Sequence, residues 1–259
     1  MNTFGAGAVL ARASTTKTGV QYSPIDLDAS LTLATVAVPA SEPSVWLVEP
    51  QFAIGPTFAA VLGITAHRTA LGISYADLRP DLVEVRPATG AAEFEVTPGG
   101  DTVRLGPGDT RMRLRIIDVK LTAEPSPGYF AEVTLYSMTL AGWLIDHHRD
   151  NEFVVISEAA LWPGSHDASE LATAVDEIRR AGGTPTPDEM RDALAKDLEP
   201  VPLEVFVPEV RRFFIETVPG VLAKKPPGLR PQERRFGRNR QILARGSAGI
   251  RQETPFVGR

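Results

Sequence analysis

At 259 residues, with 43% hydrophobic and 23% charged side chains, the chain has the balance of a globular protein with a core of its own, and its 22 prolines favour many turns and irregular connections. Cysteine is absent, which excludes disulfides and thiolate metal sites, and no run reaches the ~18 apolar residues of a membrane span. The net charge of −5 is unevenly spread: Lys224, Lys225, Arg230, Arg234, Arg235, Arg238, Arg240, Arg245, Arg251 and Arg259 face only Glu233 and Glu253, so residues 224–259 carry +8 and the preceding 223 residues −13.

The opening MNTFGAGAVLARAST meets its first cation at Arg12 and lacks the charged-then-apolar layout of a signal peptide, so export by that route is not expected. Residues 4–13 read as a first strand or arm. Gly5 and Gly7 start a dinucleotide fingerprint but lack its third glycine and a following βαβ unit. Gly19 to Tyr22 and Ser30 to Val38 have the composition of strands. Ser44 to Val48 and Gln51 to Ile54 follow, with Glu49-Pro50 marking an edge or a break. Phe58 to Thr65 fits a buried strand or a helical turn.

Within this opening, Phe4-Gly5-Ala6-Gly7, then Val20-Gln21-Tyr22, then Ile25 to Leu33 resemble the start of the tail-tube subunits of long-tailed bacteriophages: a short FGxG strand, a polar loop of small residues and a VQY…IDL…SLTL segment. The resemblance covers the first fifth of the chain. It implies a self-assembling β-sandwich component of a virion, without catalysis.

From Asp81 to Ser157 short apolar runs (DLVEV, AEFEV, TVRL, RMRLRIIDVKL, YFAEVTLYSMTL, FVVIS) alternate with separators rich in Gly, Pro, Asp and Asn. That spacing predicts an antiparallel sandwich or barrel, with Gly99-Gly100 and Gly108-Asp109 supplying positive φ for tight hairpins. In Arg111–Leu121 the apolar positions 112, 114 and 116 give way to 117, 119 and 121. A strand with one dry and one wet face, broken by a β-bulge or sheet switch at Ile116-Ile117, is expected there.

Helical signals begin at Asp167-Ala-Ser-Glu170, a capping box ahead of Leu171, Val175 and Ile178, with Gly182-Gly183 as the stop. Thr186-Pro187-Asp188-Glu189 opens a second helix over Met190, Leu194 and Leu198, and the short link predicts a helical hairpin. Pro208 marks the start of a third helix burying Val210, Phe213, Phe214 and Val218. The expected architecture is mainly β with a helical appendix. It comprises an antiparallel β-sandwich or barrel body over 1–160, a helical hairpin region over 161–223 and an extended Arg-rich arm over 224–259.

Chemical motifs are sparse. Asp146-His147-His148-Arg149-Asp150 is the densest ligand-like cluster, but adjacent histidines on a strand point to opposite faces, and a polar turn accounts for them. Ser165-His166-Asp167 has triad residue types without triad geometry, and Gly246-Ser247-Ala248-Gly249 lacks nucleophile-elbow spacing. Glu93 and Glu95 read as a solvated strand face. No catalytic, metal or cofactor residue is assigned.

The functional expectation is a non-catalytic structural subunit of a phage tail or phage-tail-like virion assembly, put together in the host cytoplasm and docking through its arms onto copies of itself and other subunits, with no membrane partner. Its partner-binding residues are Lys224, Lys225, Arg230, Arg234, Arg235, Phe236, Arg238, Arg240, Arg245 and Arg251, laid along an acidic neighbour. The same arm allows nucleic acid as the alternative partner, with arginines on phosphates and Phe236 stacked on a base. A metal-dependent enzyme at 146–150 is the third reading.

Overall fold

A computed structural model describes residues 8–10, 12–16, 19–23, 25–37, 44–72, 74–89, 92–120, 125–163 and 170–223. In chain order these form β1 (Ala8–Leu10), β2 (Arg12–Thr16), β3 (Gly19–Ser23), β4 (Ile25–Asp26), α1 (Leu27–Ala37), β5 (Val45–Val48), β6 (Pro50–Gln51), α2 (Pro56–Val61) and α3 (Thr65–Leu71). Next come β7 (Leu82–Arg86), β8 (Phe94–Val96), β9 (Thr102–Arg104), β10 (Met112–Lys120), α4 (Pro127–Asp146), β11 (Phe153–Val155) and β12 (Ala160–Pro163). The described chain closes with α5 (Glu170–Arg180), α6 (Pro187–Asp197), β13 (Glu199–Pro200), α7 (Leu203–Arg212), a π-helical turn (Phe213–Thr217) and α8 (Val218–Ala223).

The main sheet runs β1-β5-β7-β10-β12-β13, with β11 also on β10. It is mixed: β1 lies parallel to β5, and β11 and β12 both lie parallel to β10, whereas β5–β7, β7–β10 and β12–β13 are antiparallel. The described residues thus combine β and α structure around an open sheet. The antiparallel sandwich or barrel expected from the sequence is not what they build.

Two segments account for the difference. YFAEVTLYSMTL, expected as a strand, lies inside α4, and the described part of Ser30 to Val38 lies inside α1. Residues 131–144 of α4 are all buried, and a helix covered on every side carries no amphipathic period to read. Two of its buried hydroxyls are satisfied by the preceding turn: Thr134 Oγ1 donates to the Phe130 carbonyl at 2.8 Å and Ser137 Oγ to the Val133 carbonyl at 3.0 Å. Phe58 to Thr65 resolves as helix α2, a turn and the start of α3.

β10 is the central strand, and the slip at Ile116-Ile117 has a different cause from the one expected. Its register against β7 is unbroken from Arg113↔Arg86 to Ile117↔Leu82, so β10 has no bulge there. The irregularity is in its other partner, where four residues separate Val155 from Ala160 while only two separate their mates, Leu114 and Ile117. What changes at 116–117 is the cover on each face. Met112, Leu114 and Ile116 face the large core built with α1, α2, α4 and α7, and Ile117 and Val119 face a second cluster with Ala193 and Leu194 of α6 and Val175 of α5. Both isoleucines are fully buried. The expected wet face is not wet either: Arg113, Asp118 and Lys120 are buried as well.

The C-terminal helices follow the sequence signals closely. Thr186 and Glu189 form the capping box of α6, and Gly182, at φ 79°, stops α5 while the Gly183 N–H donates to the Ile178 carbonyl. The box at Asp167 lies outside the described residues. α7 begins at Leu203, with Pro208 inside it rather than at its start. Gly100, at φ 90°, turns the β8–β9 hairpin as expected, but Gly108 has no positive φ and β9 does not pair with β10. The expected body boundary at 160 falls within β12, because that strand and β13 complete the sheet.

Candidate functional site

A cavity of about 580 Å³ opens beside the C-terminal end of α4, lined by Asp26, Asp28, Gln51, Phe52, Ala53, Asp77, Trp143 and His147. Local structure places each group. Asp26 ends β4, which lies parallel to β6, and its Oδ1 accepts the Ala29 N–H at 2.9 Å, a helix cap that starts α1. Asp28 follows in the first turn, where a carboxylate complements the helix dipole. Phe52 exchanges backbone hydrogen bonds with Leu78, which brings Asp77 alongside Gln51, and the Gln51 amide donates to the Asp77 carboxylate.

Trp143 stands in the last turn of α4 and His147 is its C-cap, four residues on. Their rings stack with centroids 3.9 Å apart, and His147 Nδ1 lies 2.9 Å from the Trp143 carbonyl oxygen. Arg149 Nη1 donates to Asp28 Oδ1 at 2.8 Å and to Thr32 Oγ1 at 3.1 Å, while its guanidinium lies over the Phe153 ring. Three carboxyls thus line the cavity with Arg149 as a charge partner to one of them. Each carboxyl already accepts a structural hydrogen bond and keeps further lone pairs for a cation.

The 146–150 cluster is dispersed rather than gathered. Asp146 turns to the N-terminus of α2, accepting from the Thr57 N–H at 3.1 Å and from its hydroxyl. His147 faces the cavity, and His148 is an exposed turn residue at φ 56°. Arg149 reaches α1, and the Asp150 carbonyl accepts from Arg111 Nη1 at 3.3 Å. Among the described residues no three His, Asp or Glu side chains gather in a metal-binding group.

The other concentrations of charge are buried in the sheet. On one face of β10, Glu93 accepts from Arg113 Nε at 2.7 Å and lies 2.9 Å from Arg86 Nη1, while Asp109 pairs with Arg111 and Arg113. Burial works to raise the Glu93 carboxyl, but the hydrogen bond from Arg113 and the two guanidinium charges outweigh it and hold it below the usual range. The hydrogen bond from Arg111 brings Asp109 down to about 2. Glu95 accepts from Arg111 Nη2 at 2.8 Å, so Glu93 and Glu95 are members of this network and not a solvated face. On the opposite face, Lys120 Nζ donates to Glu132 Oε2 at 3.0 Å, contacts Asp118 and lies over the Tyr129 ring.

His147 stands out in the sequence as part of the 146–150 cluster, whereas Asp26, Asp28, Gln51 and Asp77 belong to no motif there. The usable signal was Asp26 and Asp28 flanking Leu27, acidic residues at the opening of a helix read there as a strand. The partner-binding residues assigned from the sequence, Lys224 to Arg251, lie outside the described residues. Comparison of the chain with known protein families, with curated proteins and with solved structures finds no match.

Proposed function

We propose that this chain is a non-catalytic structural subunit of a phage tail or phage-tail-like assembly, docking through its arms onto neighbouring copies and other subunits. The observation that carries the reading is charge complementarity within one chain. Residues 224–259 bear +8 against −13 for the rest, and Asp26, Asp28 and Asp77 concentrate part of that acidity around one concave, aromatic-walled cavity. An arginine is the side chain such a cavity suits: a planar cation with five donors that also stacks on aromatic rings. Ten cations on a long segment make many small contacts that sum only when the whole arm is laid down.

The N-terminus supports the same reading. Among the described strands β2 and β3 pair only with each other, in a register running from Arg12↔Ser23 to Thr16↔Gly19. An isolated two-stranded hairpin is marginal in water, and its open edges are templates for another chain. A chain with a hairpin at one end and a basic arm at the other is equipped to be held from both sides. The likeness of residues 4–33 to tail-tube subunits points to the same class of assembly.

Sedimentation of the full-length protein over a range of concentration and salt tests the proposal. Rings, tubes or strongly concentration-dependent oligomers that dissociate with salt are the expected result. A monomer at all concentrations that binds DNA or RNA in a salt-dependent way replaces it with the accessory nucleic-acid reading.

A further inference from the structure

Lys120 is a primary amine walled in by two carboxylates at the seam between the C-terminal half of β10 and α4. Its Nζ contacts Asp118, donates to Glu132 Oε2 at 3.0 Å and lies 4.8 Å over the Tyr129 ring. On the other oxygen, Glu132 Oε1 accepts from Tyr136 Oη at 2.8 Å. Asp118 is 2% exposed, and Lys120 and Glu132 are each 8% exposed, so water has little access to the group. Burial works to lower the Lys120 pKa, and the charges of Asp118 and Glu132 outweigh it, so the resting pair is ionic. An ion pair in a dry interior is costly to keep, and joining its two members as a neutral amide removes both charges. Amine and acid held in contact also react as one molecule rather than two, an advantage that dilute solution does not offer.

We propose that Lys120 and Glu132 condense within the folded chain into an isopeptide bond between β10 and α4, with Asp118 as proton carrier and Tyr136 steadying the reacting carboxyl. One proton passes from Nζ to Glu132 Oε2 along their hydrogen bond, which leaves a neutral amine beside a neutral acid. Nζ then bonds to Cδ of Glu132, and Asp118, in contact with that nitrogen, takes a second proton from it. The negative charge that develops falls on Oε1, the oxygen to which Tyr136 already donates. Asp118 returns its proton to Oε2, the Cδ–Oε2 bond breaks, and that oxygen leaves as water. An ammonium and a carboxylate thus become an amide and one water, with no co-reactant. Asp118 is the carrier rather than the electrophile because Glu132 is the carboxyl that holds the polarising hydroxyl. The reaction occurs once per chain and turns over no substrate. Its product fastens the central strand of the sheet to the buried helix that covers it.

The test is mass spectrometry of the full-length protein after digestion with trypsin. Trypsin does not cut after an acylated lysine, so the bond leaves residues 116–149 as one peptide, one water lighter than its sequence mass. Fragmentation of that peptide is expected to place the missing water between Lys120 and Glu132. In Asp118→Asn, which keeps the shape but cannot take the proton, the yield of linked peptide is expected to fall about tenfold or more. Cleavage after Lys120 in the wild type, with peptides 116–120 and 121–149 at their sequence masses, overturns the proposal whether or not the variant folds. A lost water that maps to any other pair of residues overturns it equally, and a variant that links as fully as the wild type contradicts the part given to Asp118.

Discussion

Arg113 and Arg86 stand directly opposite one another on β10 and β7, and Glu93 bridges them, accepting Arg113 Nε at 2.7 Å with both side chains no more than 3% exposed. Two like charges facing each other across a sheet destabilise it, so the carboxylate is a structural requirement of the pair. Glu93→Ala removes the one carboxylate the two guanidiniums share, leaving the buried Arg113 with Asp109 and Arg86 with Glu158 alone. A loss of about 3–5 kcal/mol is expected by denaturant unfolding. Replacing the pair together, as Arg113→Met with Glu93→Leu, should cost less than the sum of the single changes. Additive costs would show that the bridge couples nothing.

The adjacent isoleucines of β10 separate the two cores. Ile116→Asp and Ile117→Asp should each cost several kcal/mol, on the order of a buried unpaired charge. The losses should differ in place. Ile117 lies under Ala193, Leu194 and Val175, so hydrogen exchange in Ile117→Asp should accelerate first in α5 and α6, whereas Ile116→Asp should open the α4 side. A thermally unchanged variant of either would contradict the two-core account.

At Gly142 the long helix touches α2: a Cβ there would lie 3.1 Å from both the Cβ and the backbone nitrogen of Phe58, which is itself fully buried. Gly142→Ala is expected to destabilise by about 1–3 kcal/mol, the range for overpacking a filled core, although alanine is the better helix former. Calorimetry showing a raised midpoint would mean that the two helices can part freely.

Acid sensitivity should come from the other face of β10. Asp109 is held down to about 2 by its hydrogen bond from Arg111, and Glu93 is also depressed. Folded values below the unfolded ones mean stability that is present above about pH 4 and is lost as the pH falls towards 2. Asp109→Asn should flatten this acid limb in a pH series of unfolding midpoints. An acid limb as steep as that of the wild type would place the protonation elsewhere.

Legibility tracked how local each signal was. The box at Thr186 and Glu189 and the stop at Gly182 depend on neighbouring residues and their backbone, and they stand in the structure where the sequence places them. β10 was legible as a strand because its alternation is strong, but the reason for its slip was not, since it depends on α4 covering one face and on α5 and α6 covering the other. α4 was read as a strand because complete burial removes the amphipathic period, leaving Thr, Tyr and Val to suggest β structure. The acidic cavity was hidden for a similar reason: Asp26, Asp77 and Trp143 are far apart in sequence and meet only through the β4–β6 and Phe52–Leu78 pairings.

The central claim is that the basic arm holds neighbouring subunits together. Its most direct test is sedimentation of the full-length protein with Arg230, Arg234, Arg235, Arg238 and Arg240 all changed to Ser, beside the wild type at low salt. That change removes five of the arm's ten cations and leaves every described core residue in place. The account predicts a folded variant that sediments as a monomer where the wild type forms concentration-dependent oligomers. A variant that assembles as the wild type does, and has lost only salt-sensitive binding to DNA or RNA, would contradict it.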